Sequence, residues 1–328
     1  MYDVVTLGEP LLRLTPAQMR RIEGALSWDM HVAGSELNTA VGLARLGLRV
    51  SFLTRLTDNA LGRQIGATLA SHGVATDQIA WTSEDRVGLF YMEQGASPRA
   101  AQVIYDRAGS AVSNMRPDDL PRDLFVPGAA RMLHTTGISL AVSPSLYETT
   151  LFTAHRAKDA GWRISFDINY RGKLWSYAEA AVGCQELLQI ADVIFTPYRD
   201  AVKLWGLGDA TPAQVLDEMH ARYPQAVCAL TVGADGALAV DTDGTTWRQP
   251  AFSAQVVDRI GSGDAFSAGF LYALLTTPSD SDAGDWLRWG CAAAALKYTI
   301  PGDLPLFTQA EVKALVETGE RRGGDVVR

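Results

Sequence analysis

In the stretch "VDRIGSGDAFSAGF" (257–270) one carboxylate, Asp264, follows Gly261, Ser262 and Gly263 and leads into an apolar run. Glycines let the backbone turn tightly and bring N–H groups close to a ligand. A helix starting near Asp264 aims its unpaired N–H donors and the positive end of its dipole at the same spot. Such a hole suits a transferring phosphoryl group, for which catalysis is mostly positioning and charge stabilisation. Asp264 itself admits two readings. It is a preferred N-cap type, or it is a base whose pKa the dipole lowers, which phosphoryl transfer tolerates because proton removal comes late. The cap reading leaves the flanking glycines without a purpose.

Three further clusters carry chemistry. "HVAGSELNTA" (31–40) places Gly34 and Ser35 at a helix start with Asn38 one turn in, which by itself is a capped helix. "VIYDRAGSA" (103–111) alternates Tyr105 and Arg107 onto one strand face. "FDINYRGKLW" (166–175) sets Asn169, Tyr170 and Arg171 just past a strand end. Singly, each arginine reads as a solvated surface residue. Beside a phosphate hole, two arginines and a tyrosine outline a site for an acidic, hydroxylated small molecule. Rival signatures fail. Gly172-Lys173 is followed by Leu174, so there is no P-loop, and "GSGDAF" breaks the dinucleotide fingerprint at Phe266. Neither HExxH nor GxSxG occurs.

The elements that must position these residues alternate along the chain. Strand-like runs at 3–9, 49–56, 163–170, 191–197, 226–233 and 236–242 are interleaved with helix-like runs at 35–47, 62–73, 145–160, 212–222, 264–276, 284–298 and 308–319. This predicts an α/β fold with a largely parallel sheet covered on both faces. Segments at about 11–33 and 86–107 break the pattern with irregular, strand-rich sequence and read as a small β-rich lid on a single domain spanning 1–328. The 328 residues carry 29 basic and 37 acidic side chains, which argues against nucleic acid or an anionic membrane as partner. Cys184, Cys228 and Cys291 form no CxxC pair, so neither a disulfide framework nor a zinc site is expected. "MYDVVTLGEP" is no signal peptide, and no apolar run approaches the ~18–20 residues of a membrane span. A cytoplasmic protein is expected.

"VDRIGSGDAFSAGF" and "AGSELNTAVGLARLG" resemble the C-terminal and N-terminal signatures of the ribokinase-like (PfkB-type) sugar kinases. "GLFYMEQGASPR", "YDRAGSA", "FDINYRGKLW" and "KYTIPGDLPLF" are most similar to the 2-keto-3-deoxygluconate kinases among them. The resemblance covers essentially the whole chain. It implies a three-layer ribokinase-like sandwich that phosphorylates a sugar or sugar acid with ATP and Mg²⁺, K⁺ being a further candidate cofactor.

In that reading Asp264 starts its helix and also takes the hydroxyl proton, while Gly261, Ser262 and Gly263 hold the γ-phosphate. Gly34, Ser35 and Asn38 bind substrate hydroxyls. Tyr105, Arg107 and Arg171 face the substrate, with Arg107 on its carboxylate. Asn169 and Arg171 touch ATP phosphates, and Thr231, Gly233 and Gly236 form the nucleotide turn. Asp258 marks a monovalent-cation loop. The lid's exposed strands have unpaired edges that need covering, so pairing of two copies through the lid is expected. Three positions depart from the family pattern. Ser262 stands for Ala, Pro197-Tyr198-Arg199-Asp200 stands for N-x-x-E, and a lid tyrosine aligns with Phe90 rather than Tyr91.

Overall fold

The computed structural model describes residues 1–277 and 282–319. The final stretch of the unit expected over 1–328, residues 320–328, lies outside the described residues. Runs such as "DVVTL" and "VIFT", apolar on both sides of the strand, can be satisfied only inside a sheet covered on both faces. That is where they lie. The main sheet has ten strands, and its path runs Thr246–Gln249, Ala237–Val240, Val227–Thr231, Val193–Pro197, Arg163–Asp167, Ala130–Thr136, Tyr2–Leu7, Val50–Thr57, Val74–Ala75. Ile79–Thr82 also pairs with Val50–Thr57. Neighbours are parallel except at one edge, where Ala237–Val240 runs antiparallel to both Val227–Thr231 and Thr246–Gln249.

Helices cover both faces, giving three layers. Against one face lie Ser35–Arg45, Ala60–Ser71, Ser262–Thr276, Ala283–Tyr298 and Gln309–Thr318, around a core that includes Leu37, Phe52, Phe266 and Phe270. Against the other lie Pro144–Asp159, Tyr177–Gly183, Gln185–Ile190, Tyr198–Leu204 and Pro212–Arg222, around Leu133, Ile164, Phe166 and Ile194. A separate four-stranded sheet is ordered Trp28–Ala33, Leu11–Pro16, Gly88–Glu93, Gln102–Asp106. Leu11, Ala33, Phe90 and Met92 form its inner apolar face, with Val103, Tyr105 and Ile260 against them.

Two sequence expectations shift. The strand read at 163–170 ends at Asp167, because Asn169 takes a left-handed φ of 40° that no strand continues through. The sheet also contains Ala130–Thr136, which hydropathy did not reveal. Its polar His134, Thr135 and Thr136 are fully buried, so its pattern does not read as an apolar strand.

Candidate active site

The carboxyl ends of the parallel strands converge on a cleft of about 1150 Å³ roofed by the second sheet. This is where open α/β sheets gather ligands. Gly34, Ser35, Asn38, Tyr105, Arg107, Asn169, Arg171, Asp258, Gly261, Gly263 and Asp264 all line it.

The helix beneath Asp264 starts two residues earlier than the sequence suggested. Gly261, at φ 78°, is the N-cap, and Ser262–Thr276 is helical. Asp264 therefore sits inside the first turn and caps nothing. Its Oδ1 accepts from Ser35 Oγ at 2.6 Å and its Oδ2 from Asn38 Nδ2 at 2.7 Å. The expected lowering of its pKa is also overturned. Burial pushes Asp264 above its ordinary value, against the opposing pull of Ser35, Asn38, Arg171 and Lys297. A buried carboxylate with a raised pKa is a better proton acceptor than the dipole argument allowed.

The partner helix Ser35–Arg45 is entered through Gly34 at φ 146°, where a Cβ would lie 2.4 Å from the Glu9 carbonyl oxygen. Asn38 Oδ1 is buried and makes no hydrogen bond. It is an acceptor left open beside the Asp264 carboxylate. Asn169 donates from Nδ2 to Ser35 Oγ at 2.7 Å, and its own backbone N–H donates to Asp167 Oδ1 at 2.9 Å. Asp167, which sequence reasoning missed, is pushed up to about 7 by burial and then by the neighbouring Asp264 charge. Glu36, also missed, is fully buried. Its Oε1 accepts from the Thr136 backbone and hydroxyl and from Ser139, and burial raises its pKa.

Arg107 meets a partner that the sequence did not announce. Its guanidinium is ion-paired to buried Glu9 and lies 5.1 Å from the Tyr105 ring centroid. Burial and then Arg171 push Arg107 down to about 10, so it remains a cation at neutral pH. In the lid Phe90 faces the cleft, its ring 5.7 Å from that of Tyr105, whereas Tyr91 turns to the opposite face against Trp28.

Asp258, marked by the resemblance for a monovalent cation, is already engaged. Its Oδ2 accepts from both terminal nitrogens of Arg13 and from Gly302 N–H, and its Oδ1 accepts from Ile260 N–H. Arg13 also donates to Asp303 at 2.8 Å, and all three side chains are buried.

A second cavity of about 120 Å³ adjoins the first. It is lined by Thr231, Gly233, Gly236, Phe252, Ser262, Gly263, Phe266 and Tyr298, among others. Gly236, at φ 97°, would drive a Cβ to 2.0 Å from the Gln249 carbonyl oxygen, so only glycine fits that turn. Gly263 lines both cavities. A group passed from one to the other crosses the helix N-terminus.

For Mg²⁺, which keeps most of its waters and takes one or two carboxylates plus phosphates, the candidate donors are Asp200 and Asp167, both on the cleft wall. Asp200 replaces the glutamate of the family pattern, and its Oδ1 accepts from Tyr177 Oη at 3.0 Å. No cluster of three or more His, Cys, Asp or Glu that could hold a metal ion exists among the described residues.

Comparison with known proteins places the fold among carbohydrate kinases. Residues 1–305 match the pfkB family carbohydrate kinase model. The chain is 40% identical over 323 residues to the 2-dehydro-3-deoxygalactonokinase of Haloferax volcanii, covering 98% of each protein. It is 31% identical over 322 residues to the 5-dehydro-2-deoxygluconokinase of Shouchella clausii, covering 96% of each. The crystal structure of 2-dehydro-3-deoxygluconokinase from Thermotoga maritima superposes with a TM-score of 0.89 at 30% identity, over 96% of this chain and 98% of that one. A family match over residues 1–305, relatives alike over nearly the full length and a shared fold lead to one conclusion: the chain belongs to the pfkB family of carbohydrate kinases.

Proposed function

We propose that this kinase transfers the γ-phosphoryl group of ATP to the terminal hydroxyl of 2-keto-3-deoxygluconate and also accepts its galacto epimer. The observation that carries the reading is the convergence of Asp264, held by Ser35 and Asn38, with Arg107 and Arg171 in one cleft. The relatives above act, by name, on dehydro-deoxy sugar acids of this kind. One inverted hydroxyl changes binding modestly where the site makes no dedicated bond to it.

Asp264 orients the primary hydroxyl and accepts its proton late in the transfer. The backbone N–H groups of Gly261, Ser262 and Gly263 hold the transferred phosphoryl group, and Asn38 Oδ1 accepts from a substrate hydroxyl. Arg107 takes the carboxylate, with Tyr105 and Arg171 beside it. Thr231, Gly233 and Gly236 border the nucleotide, whose phosphates reach Asn169 and Arg171. Asp200 and Asp167 would hold Mg²⁺ arriving with the nucleotide, and the ion would supply charge neutralisation on the phosphates. The second sheet excludes water, which limits wasteful hydrolysis. Exposed Leu26, Trp28, Met30 and Ile104 on its outer side offer a surface through which two copies pair. No helix among the described residues is long and apolar enough to cross a membrane, and we place the enzyme in the cytoplasm.

One observation favours a second reading, a neutral-sugar kinase such as a fructokinase. Glu9 already neutralises Arg107, so the guanidinium needs no substrate carboxylate. ATP consumption with 2-keto-3-deoxygluconate, its galacto epimer, gluconate, fructose, ribose and adenosine separates the two. The proposal expects turnover of the keto-deoxy acids and, in Arg107→Ala, a KM for them raised by about tenfold or more. Turnover confined to a neutral sugar would sink the acid assignment.

A further inference from the structure

Directly behind Gly261, the cap of the proposed phosphate hole, lie four buried charged side chains. Asp258 and Asp303 are the anions, and Arg13 and Lys297 are the cations. Arg13 bonds Asp258 at 3.2 Å and Asp303 at 2.8 Å. Lys297 is fully buried, which is rare for lysine without a compensating charge. Its Nζ donates to the Ile300 carbonyl at 3.0 Å; burial lowers its pKa from the ordinary lysine value, against the charges of Asp258 and Asp303, which favour its ionised form. A Cβ built on Gly261 would lie 2.1 Å from the Asp303 carbonyl oxygen and 3.3 Å from Lys297 Cε. The lysine stem thus abuts the cap residue from below.

The charges in this group balance, two against two. Removing either cation would leave a net negative charge under a hole that must hold phosphate. Asp258, the carboxylate marked for a monovalent cation, has both oxygens taken by Arg13 and by backbone N–H groups. The geometry points to Lys297 as a built-in cation: with Arg13 it supplies the positive charge a bound monovalent ion would otherwise provide behind the anion hole, making nucleotide binding and phosphoryl transfer independent of K⁺. Lys297 touches no reacting atom, so its role is that of a positioning residue acting through the Gly261 turn.

This inference rests on the kinase reading, and its test is arranged to separate the two. ATP affinity is measured by calorimetry, without an acceptor, in K⁺, Na⁺ and choline chloride at equal ionic strength, alongside turnover of the keto-deoxy acid. Wild type is expected to vary less than about twofold among the three salts in both readouts. Lys297→Met is expected to lose tenfold or more of ATP affinity in choline and to regain part of it in K⁺ or NH₄⁺. Lys297→Arg, which keeps the charge, is expected to stay salt-independent. A wild type whose ATP affinity rises severalfold with K⁺ over choline would overturn the inference. So would a folded Lys297→Met that is equally weak in every salt. Should Lys297→Met fail to fold, the wild-type series decides alone. Absence of turnover with every acceptor would count against the kinase reading, while the ATP titrations would still judge the cation.

Discussion

Ser35 Oγ donates to Asp264 Oδ1 at 2.6 Å across 229 residues of sequence, and the same oxygen accepts from Asn169 at 2.7 Å. The proposed base is therefore aimed by a chain of polar groups that begins at Asp167 and ends at Asn38. Ser35, first assigned to substrate hydroxyls, orients the base as well. Ser35→Ala removes a hydrogen bond to a charged acceptor, a contribution of about 1.5 kcal/mol or more, so kcat is expected to fall about tenfold or more. Because that bond favours the carboxylate form, its loss also moves the acid limb of the pH–rate profile to higher pH. A change in KM alone, with the limb unmoved, would return Ser35 to a purely substrate-binding role.

Asp264→Asn keeps the shape of the site and removes the proposed proton acceptor. Activity is expected to fall about 10²–10⁴-fold, with ATP affinity retained. In wild type the base must be ionised, and burial has raised its pKa. Activity is accordingly lost as pH falls through that raised value, sooner than for an ordinary exposed aspartate. A stopped assay from pH 4 to 8 shows both effects, and an acid limb unchanged in the Asn variant would exclude Asp264 as its source.

Asp167 gives a stability signature of the opposite sign. Its folded pKa of about 7 lies above the unfolded value of about 3.9, so the folded chain keeps a proton that the unfolded chain releases. The stability this contributes is fully present below about pH 4 and is lost as pH rises toward 7. Relative to wild type, Asp167→Asn is therefore expected to gain stability between pH 5 and pH 8, measured by urea denaturation at both. No relative change between the two would mean that Asp167 is ionised in the fold.

Sequence reading carried furthest where chemistry and local pattern coincide. The glycines around Asp264, the Gly34-Ser35 helix start and the Tyr105/Arg107 alternation are local signals, and the fold brings all of these residues to one cleft. It failed where the determining partner is distant. Arg13 lies 245 residues from Asp258 and 290 from Asp303, and nothing near any of them announces the group. Glu9 lies 98 residues from Arg107. Asp264 was misread as a cap because preferred residue type was weighed over backbone conformation, and the left-handed glycine three positions earlier is the residue from which the helix starts. The strand Ala130–Thr136 was missed because its buried face is polar: His134 bonds Ser165 at 2.9 Å and Thr135 bonds the Leu7 carbonyl at 2.9 Å, both inside the sheet.

The glycines of the hole have separable duties, which a pair of variants exposes. Gly261 holds φ 78°, and a Cβ there would lie 2.1 Å from a backbone oxygen of Asp303 that cannot rotate away. Gly261→Ala is expected to destabilise the fold by about 1–3 kcal/mol, with a lowered Tm. Gly263 lies within the helix, and a Cβ there meets nothing within 4 Å. Replacing a helical glycine by alanine stabilises by about 0.5–1 kcal/mol on propensity alone. Gly263→Ala should therefore melt at or above wild type. Yet its new methyl group enters the passage between the two cavities that Gly263 lines, where the proposed transfer brings the phosphoryl group to the backbone. Turnover is expected to fall tenfold or more with Tm unchanged or raised, a combination that general damage to the fold does not produce. Full activity in Gly263→Ala would place the phosphoryl group away from this turn and remove the main support for the hole as the site of transfer.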